Sequence, residues 1–500
     1  MEPVCFEQTD KIGGTWNYRE ESVDGVPSIM ASTHINISKE LTAVSTFPPK
    51  KECNNFMKHD ELFQYCMEYA NKHDAVRHIR CNSEVTKVRK SKDYDVTGKW
   101  DVMVKDKLTG AETTEYFDGV MVCIGHVNRP KMPTFPEQEA FKGTIMHTHS
   151  LKRVNEFENK TVVVVGTGCS GVDAAVESSN VAKQVYLSTR SGAHIMKRVA
   201  TNGYPFDSIL ARRWLFFLLQ ILPIKFSSWL VESVFLDSLF DHRLYAVKPK
   251  KPFLCQDPSV SDGIYTKLHT GSVIQKPDIE RFTGNGVVFK GETSETKADV
   301  VIMATGYSWK FPFLEDGIIV QEGKKINLYK CAFPTHLQKA TLAIVSFILP
   351  FGPGFPLCEL QIRWIVQVLL GKLKLPSTKL MLKDVEDRYS TNLNRYEYDD
   401  KMSLRVDYLP YMDDISSLLG VKPNLLKYFF TDFKLFVKLL FGPVLAYQYR
   451  LTGPHRWEGA REAIMTSDAR MHWPLQKRKE PKESLLMIII KKILRLLLLY

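Results

Sequence analysis

The stretch from Lys160 to Val176 constrains the fold more than any other part of the chain. Four consecutive valines at 162–165 predict a strand buried on both faces, which is typical of a parallel sheet flanked by helices. Gly166, Gly168 and Gly171 follow in the spacing G-x-G-x-x-G and lead into a predicted helix. The first glycine permits a tight turn, the second lets backbone approach a pyrophosphate, and the third allows close packing of helix and strand. We therefore predict a dinucleotide site here, with a purely structural glycine turn as the alternative.

The next strand indicates which dinucleotide is bound. Residues 184–190 predict a strand, and an NAD site usually ends this strand with Asp or Glu for the ribose 2′-hydroxyl. Here the strand ends with Ser188, Thr189 and Arg190, which suit a 2′-phosphate, so NADP is favoured over NAD. A solvated arginine without such a role is the alternative. The residues assigned to this site are Gly166, Gly168, Cys169, Ser170, Gly171, Val172, Asp173 and Arg190.

The composition excludes several classes of protein. A net charge of +11 could suggest nucleic acid, but the basic residues are spread along the 500 residues and no nucleic-acid-binding motif accompanies them. The nine cysteines are an odd number and contain no C-x-x-C pair, which indicates reduced thiols in a cytosol-facing protein. The N-terminus has no secretory signal pattern. His147 and His149 lack a third ligand at a suitable spacing, so we expect structural histidines and no metal site.

Two further segments indicate a second nucleotide-binding unit around the first. Residues 3–7 predict a strand that ends in Glu7, the residue type that holds an adenosine ribose. The strand and glycine-rich turn expected about twenty residues before such an acid are not in the sequence. We therefore expect a first domain without its phosphate-binding loop, or else an incidental acid. Residues 298–307 predict a buried strand that ends in Ala304, Thr305 and Gly306, as in flavoproteins with two dinucleotide sites.

The order of these pieces resembles the flavin-containing monooxygenases. The family pattern E-x-x-x-x-I-G-G-x-W matches residues 7–16, and N-x-S-K-E matches residues 36–40. The pattern F-x-G-x-x-x-H-x-x-x-Y/F matches Phe141, Gly143 and His147, with Leu151 in place of the aromatic residue. Segments at 407–413, 422–424 and 441–461 follow the family order, so that the resemblance covers nearly the whole chain.

The resemblance implies the cofactors and the chemistry. In this family NADPH reduces FAD, and the reduced flavin captures O2 as a C4a-hydroperoxide that a tertiary amine or a sulfide attacks. Asn36 lies at the flavin in the family and is the candidate catalytic residue. The family's turn after the predicted strand 341–347 differs here, because Ser346 and Leu349 replace Gly and Gln. The further residues assigned to cofactor binding are Glu7, Gly13, Gly14, Thr15, Trp16, Asn36, Ile37, Thr305 and Gly306.

Two other functions remain open from the sequence. A Baeyer–Villiger monooxygenase shares both nucleotide domains but oxidises ketones, and Leu151 leaves this possibility open. A non-catalytic, membrane-associated NADP-binding protein that has lost FAD would explain the absent first phosphate loop. Product analysis and flavin content distinguish these functions from oxygenation of nitrogen or sulfur. The oligomeric state is left open.

The predicted fold is α/β, with an NADP-binding Rossmann-like domain inserted in an FAD-binding one. We expect the FAD domain at 1–135 and again, with a helical part, at 307–470, and the NADP domain at 136–306 with a helical insertion at about 205–260. The apolar run 214–224 is too short to span a bilayer. Residues 81–125 predict an inserted sheet, with strands at 85–89, 100–105, 113–117 and 120–124.

The C-terminal segment 471–500 predicts contact with a membrane. Lys477, Arg478 and Lys479 form a basic cluster before the apolar run 485–500, whose three basic residues fall on one helix face. This pattern is typical of an amphipathic helix that lies in the bilayer interface, with a buried soluble helix as the alternative. With the family resemblance, it predicts a protein on the cytosolic face of the endoplasmic reticulum membrane.

Overall fold

A computed structural model describes residues 2–200, 203–396 and 401–476. The predicted basic cluster and the amphipathic tail lie outside the described residues. The helices are α1 Lys39–Thr42, α2 His59–Lys72, α3 Tyr94–Thr97, α4 Cys169–Ser178, α5 Phe206–Leu210, α6 Arg213–Ile221, α7 Ile224–Val231, α8 Ile264–His269, α9 Gly354–Leu369, α10 Thr378–Tyr396, α11 Tyr408–Leu418, α12 Leu425–Thr431, α13 Phe433–Phe441, α14 Ala460–Met465 and α15 Ser467–His472.

The strands of the first half are β1 Cys5–Phe6, β2 Ile79–Arg80, β3 Ser83–Lys90, β4 Trp100–Asp106, β5 Glu112–Phe117, β6 Val120–Val122, β7 Arg129–Pro130, β8 Thr144–His147, β9 Thr161–Val165, β10 Gln184–Ser188 and β11 Ile195–Met196. Those of the second half are β12 Ser259–Val260, β13 Val273–Lys276, β14 Ile279–Phe282, β15 Gly286–Phe289, β16 Thr296–Lys297, β17 Val300–Met303, β18 Tyr307–Ser308, β19 Gln321–Glu322, β20 Lys325–Ile326, β21 Leu328–Tyr329, β22 Phe333–Pro334, β23 Leu342–Ile344, β24 Leu349–Phe351 and β25 Arg405–Asp407.

The valine strand β9 lies inside a five-stranded parallel sheet, in the order β13-β10-β9-β17-β8. Val162 and Val164 pack with α4 and α8, which cover one face of the sheet. Val163 and Val165 face the other way and pack against β14 and β15. The parallel sheet and the burial of β9 on both faces are thus confirmed, although helices cover only one of these faces. A three-stranded antiparallel sheet, β14-β15-β16, covers the second face, because its own valines and phenylalanines supply an apolar surface.

The predicted inserted sheet is confirmed for three of its four strands. Strands β3, β4 and β5 form an antiparallel sheet, but β6 does not join it. Instead, β6 pairs in parallel with β23, the strand predicted to return to the first domain. The two strands are more than 200 residues apart in sequence, so no local pattern indicates their pairing. β1 pairs in parallel with β2 in the same region.

Helices α5, α6 and α7 form the predicted helical insertion. Phe206 of α5 and Val231 of α7 are buried in a small core of their own. α6 buries Leu215 and leaves Phe217, Leu218 and Ile221 exposed, so the apolar run 214–224 is a surface helix. Among the described helices none is long and apolar enough to cross a bilayer. The division of the chain at residues 135, 306 and 470 stays a prediction.

Candidate active site

The three glycines of the turn after β9 have three different environments. Gly166 has a φ of +108°, and a Cβ there would lie 2.6 Å from the Ala304 carbonyl oxygen. At Gly171 a Cβ would lie 2.0 Å from the oxygen of Gly166, so any side chain would separate α4 from the turn. A Cβ at Gly168 would meet nothing within 4 Å. The first and third glycines therefore serve the turn itself, whereas the second faces open space where a pyrophosphate can approach backbone.

The residues that follow Gly168 form the first turn of α4, and they too include one that is open to a ligand and others that pack into the protein. Ser170 is exposed beside the glycine turn, at the helix N-terminus, where backbone N–H groups favour an anion. Val172 is fully buried in the sheet core. The Cys169 side chain packs against residues 258–260, with its Sγ 3.5 Å from the Val260 nitrogen and 3.9 Å from the Pro258 oxygen. Burial raises the pKa of the Cys169 thiol, which is consistent with a packing role for this side chain.

Arg190 is the second residue after β10 and is exposed. The loop that carries it is fixed by Thr189, whose Oγ1 accepts a hydrogen bond of 2.9 Å from the Gly192 nitrogen. Thr189 Oγ1 also lies 3.2 Å from Thr167 Oγ1 in the glycine turn. The arginine is thereby held near the turn on a short, ordered loop while its own guanidinium is accessible. Together with the open space at Gly168, these residues fit NADP.

Asn36 is held by an arginine from the nucleotide domain. Asn36 Oδ1 accepts a hydrogen bond of 2.8 Å from Arg198 Nη2, and Arg198 Nε donates to the Ile35 carbonyl oxygen at 3.1 Å. The remaining nitrogen, Nη1, pairs with Asp262 at 3.0 Å. The guanidinium therefore fixes both the side chain of Asn36 and the backbone beside it. Sequence reasoning missed Arg198 and Asp262, since a single arginine or aspartate in a loop carries no pattern.

Arg198 also faces the residues that follow the glycine turn. A cleft of about 350 Å³ is lined by Met30, Ser32, Phe56, Asp173, Arg198 and Asp262, among others. Burial raises the pKa of Asp173 to about 6, while the positive charge of Arg198 opposes this shift. The structure thus places Asp173 of the predicted NADP site and the partner of Asn36 on one cleft. Neither Glu7 nor Arg190 lines it.

The first nucleotide unit presents a carboxylate and a glycine turn. Glu7 follows β1, and its Oε1 accepts hydrogen bonds from the Thr9 nitrogen at 2.9 Å and from Thr9 Oγ1 at 2.7 Å. Gly13 and Gly14 have φ values of +113° and +51° and are exposed. A Cβ at Gly14 would meet nothing within 4 Å, so backbone is open to a ligand there. A carboxylate at the carboxyl end of a parallel strand and an open glycine turn fit FAD.

Three further residues assigned to cofactor binding pack into the protein next to the glycine turn and Asn36. They are Thr15, Trp16 and Ile37. Trp16 ends a short 3₁₀ turn that begins at Gly14, and its ring packs against the cluster that contains buried Ile35. Thr15 is partly buried in the same turn. Ile37 packs against the large core formed by α9, α11 and α13. Asn36 thus lies between two apolar anchors, at 35 and 37, that fix its backbone.

Thr305 and Gly306 follow β17, where we predict that the chain leaves the NADP domain. Thr305 Oγ1 donates to the Lys131 carbonyl oxygen at 2.5 Å, and the Lys131 nitrogen donates to the Gly306 oxygen at 2.9 Å. His147 Nε2 also lies 3.1 Å from this oxygen, and His147 Nδ1 accepts from the His149 nitrogen at 3.0 Å. Both nitrogens of His147 are therefore engaged in structure. In the described ranges no cluster of His, Cys, Asp and Glu could hold a metal ion.

A glycine turn of the NADP type after β9, together with a second unit in which Glu7 and an open glycine turn follow β1, is typical of flavoproteins with two dinucleotide domains. The chain belongs to the flavin-binding monooxygenase-like family, whose sequence model matches residues 1–500. The family resemblance drawn from the sequence motifs is confirmed. The protein is accordingly an NADPH-dependent monooxygenase with FAD as its cofactor.

Close relatives cover nearly the whole chain. Flavin-containing monooxygenase 5 of Rattus norvegicus is 40% identical over 486 residues, which are 97% of this chain and 90% of the relative. Flavin-containing monooxygenase 2 of Homo sapiens is 38% identical over 480 residues, 96% of this chain and 89% of the relative. Dimethylaniline monooxygenase [N-oxide-forming] 2 of Macaca mulatta gives the same values.

Solved structures confirm the fold at lower identity. The S-allyl-L-cysteine S-oxygenase of Allium sativum has a TM-score of 0.60 and 22% identity, and the match covers 98% of this chain and 92% of that one. A cyclohexanone monooxygenase in an open form has a TM-score of 0.57 and 14% identity over 84% of this chain and 93% of that one. A steroid monooxygenase bound to NADP has a TM-score of 0.56 and 16% identity over 83% and 92%.

Proposed function

We propose that this protein uses NADPH and O2 to oxygenate nucleophilic nitrogen or sulfur atoms of small molecules. The observation that carries the proposal is the hydrogen bond from Arg198 to Asn36, since Arg198 also lines a cleft with Asp173 of the predicted NADP site. The names of the relatives support it, since one is described as N-oxide-forming and a structural neighbour as an S-oxygenase.

The roles of the individual residues follow from their environments. Backbone at Gly168 and Ser170 would bind the NADP pyrophosphate at the N-terminus of α4, and Arg190 would bind the 2′-phosphate. Glu7 would bind the FAD ribose, exchanging its bond from Thr9 for one from the ligand. Gly14 would allow close approach of the ligand, whereas the missing side chain of Gly13 leaves room for the ring of Phe63. When bound, FAD supplies the acceptor for hydride from NADPH and the site at which O2 is activated.

Asn36 would orient the reacting groups by hydrogen bonding. Because Arg198 binds Asn36 Oδ1, the amide NH2 points the opposite way and can donate to a cofactor or substrate. Ile35, which is buried, and Ile37 limit movement of the backbone. This arrangement supplies position and exclusion of water rather than a protein acid, base or nucleophile.

Product analysis tests the proposal directly. Purified protein would be incubated with NADPH, FAD and O2, together with an aryl methyl sulfide and a cyclic ketone in equal amounts. We expect the sulfoxide to dominate. A lactone as the main product would instead support the Baeyer–Villiger alternative. Protein without absorbance near 450 nm, and none regained with added FAD, would support the alternative of an NADP-binding protein that has lost its flavin.

We also propose that the protein acts at a membrane surface, in keeping with a place on the cytosolic face of the endoplasmic reticulum. Helices α6, α7, α12 and α13 expose large apolar side chains, and α6 packs on α13. These residues are Trp214, Phe217, Ile221, Trp229, Leu426, Phe430, Phe433 and Phe441. Exposed Lys225, Lys427 and Lys434 lie among them, which suits anionic lipid.

Co-sedimentation with vesicles tests this surface. We expect binding to vesicles with anionic lipid and weaker binding to zwitterionic ones, because the lysines add an electrostatic attraction. A double variant with Trp229→Ser and Phe430→Ser should bind vesicles more weakly than the original protein. The control Leu108→Ser, at an exposed apolar residue in the turn between β4 and β5, should bind as the original protein does. Equal binding of all three proteins would argue against this surface.

A further inference from the structure

A carboxylate of the helical insertion makes a hydrogen bond to residues 36–40, which we call the Asn36 segment. Asp207 lies in the first turn of α5, and its Oδ2 accepts a hydrogen bond of 2.6 Å from the backbone nitrogen of Ser38. The two residues are 169 positions apart in sequence. Ser38 is fully buried, and Asp207 Oδ1 is also out of contact with water. The contact is therefore shielded from solvent, although Asp207 as a whole residue is partly exposed.

The backbone of Ser38 needs this acceptor. Ser38 precedes the short helix α1, and its carbonyl oxygen accepts from Leu41 and Thr42. Its N–H group needs a separate partner, because a buried N–H without an acceptor destabilises the fold. Asp207 supplies this acceptor to Ser38, which lies two residues after Asn36. The Asn36 segment is consequently held from two sides, by Arg198 at the side chain and by Asp207 at the backbone.

We propose that Asp207 is a positioning residue, which ties the helical insertion to the Asn36 segment and thereby keeps the Asn36 amide aligned for productive oxygen transfer. The inference rests on the proposed function. When the segment is loosened, NADPH should still be oxidised, but more of the oxygen should leave as H2O2. That side reaction converts NADPH, O2 and a proton to NADP⁺ and H2O2 and makes no oxygenated product.

The protonation of Asp207 gives a second readout. Burial raises the pKa of Asp207 to about 6, while the hydrogen bond from Ser38 opposes the shift. Above this pH the Ser38 N–H donates to a carboxylate, and below it to a neutral acid, which is the weaker acceptor. Coupling of NADPH oxidation to product should therefore fall as the pH drops through about 6.

The ionisable groups around Asp207 are engaged elsewhere. Tyr408 of α11 is within electrostatic reach of Asp207, and its hydroxyl donates to the Val444 oxygen at 2.9 Å. On α6, Arg213 pairs with Asp413 at 2.6 Å. On α1, Lys39 donates to the Lys51 oxygen at 3.0 Å and Glu40 pairs with Arg470 at 2.6 Å. These contacts leave Asp207 as the group beside Ser38 that titrates near neutral pH.

Three variants of the full chain separate the possibilities. Asp207→Asn keeps an acceptor of similar shape but cannot titrate, and Asp207→Ala removes the acceptor. Asp241→Asn, at an exposed aspartate of the same insertion, is the matched control. Two quantities are measured: hydrogen–deuterium exchange of a peptide containing Ser38, without added cofactor, and the fraction of oxidised NADPH recovered as H2O2 between pH 5 and 8.

We expect exchange at Ser38 to be about 10-fold faster or more in Asp207→Ala, with the loss of a buried acceptor. The H2O2 fraction should rise in this variant. In Asp207→Asn the change of this fraction with pH should be smaller, because Asp173, whose pKa is also about 6, still titrates beside Arg198. The original protein and Asp241→Asn should show the full change, with a midpoint near pH 6.

The outcomes that would overturn the proposal are distinct. Unchanged exchange in Asp207→Ala would show that the contact does not hold Ser38, and faster exchange with unchanged H2O2 would show a merely structural contact. If Asp207→Ala does not fold, the pH profile of Asp207→Asn decides, and a profile with the original midpoint and the original amplitude overturns the role. If the original protein oxidises no NADPH with FAD, the proposed function fails. The positioning contact is then decided by exchange alone, and unchanged Ser38 exchange in Asp207→Ala overturns it.

Discussion

The NADP turn and the Asn36 segment are built in opposite ways. The turn is local: its strand, its three glycines and its helix lie within residues 161–178, and a Cβ at Gly166 or Gly171 would first meet atoms of this unit or of Ala304, which follows β17. The Asn36 segment is assembled from distant parts, since its contacts come from Arg198, Asp207 and Arg470. A local unit carries its geometry in its own sequence, whereas an assembled one depends on the fold around it.

This difference predicts where substitutions act. In the Asn36 segment, changes at remote positions should alter stability or reactivity, because the supports are remote. In the glycine turn, changes should act through the turn itself and through NADPH binding. The four tests that follow run from the largest expected effect to the smallest.

The buried pair of Glu40 and Arg470 should give the largest effect. Glu40 is fully buried four residues after Asn36, and its Oε2 lies 2.6 Å from Arg470 Nη2. Arg470→Ala would leave an unpaired buried carboxylate, which costs about 3–5 kcal/mol. We expect a large drop in the temperature of half-unfolding. Arg461→Ala, which breaks an exposed pair with Asp432, is the control and should change little.

The same variant has a predictable pH dependence. Burial raises the pKa of Glu40, and the positive charge of Arg470 opposes that shift. Without Arg470 the folded protein favours neutral Glu40 still more strongly, so its stability falls as pH rises above the ordinary range of a carboxyl group. Arg470→Ala should thus be less damaging at pH 5 than at pH 8. Equal damage at both pH values would show that lost packing, not the buried charge, dominates.

Two glycines of the NADP turn should separate folding from binding. Gly171→Ala would place a methyl group 2.0 Å from the Gly166 oxygen, and this overpacking should destabilise the domain by about 1–3 kcal/mol. In Gly168→Ala the added methyl group would meet no protein atom within 4 Å, so the stability should be unchanged while the affinity for NADPH falls. Thermal unfolding and NADPH titration measure the two effects. If Gly168→Ala bound NADPH normally, the open space there would not be the pyrophosphate site.

The same division explains what the sequence could predict. The strand at 162–165, the helix after it and the family were predictable because their signals are local or follow a fixed order along the chain. The strand at 120–122 was assigned to the wrong sheet, because its partner at 342–344 lies more than 200 residues later. The antiparallel cover of the sheet was missed because short apolar strands do not indicate which surface they cover.

The site was predictable only in its local parts. Asn36 was predicted from the family pattern and stays a prediction, but nothing in its neighbourhood indicates Arg198, Asp207 or Asp262. Each is a single charged residue in a loop or a short helix, and such residues are mostly solvated. Their importance comes from distances of 2.6–3.0 Å across the fold. Contacts of this kind depend on packing that a local pattern does not encode.

Arg198 tests whether the assembled segment depends on one remote support. Arg198→Ala removes hydrogen bonds to Asn36 and Ile35, and we expect kcat/KM to fall about 10-fold or more, since hydrogen bonds to charged groups contribute about 1.5–3 kcal/mol. Arg198→Lys keeps the charge but not the forked geometry and should be intermediate. Steady-state kinetics with a sulfide measure both. A loss confined to the KM for NADPH would instead assign Arg198 to cofactor binding.

Arg190 should give the smallest effect and the most selective one. It is exposed at the end of the local unit, so its replacement by alanine should leave folding and NADH binding unchanged. NADPH should bind about 10-fold more weakly, because one charge-assisted contact to the 2′-phosphate is lost. Titration of Arg190→Ala with both cofactors measures this, with Lys183→Ala as an exposed control on the same domain. Equal weakening of NADPH and NADH would mean that Arg190 does not read the 2′-phosphate, and the preference for NADP would then require another cation.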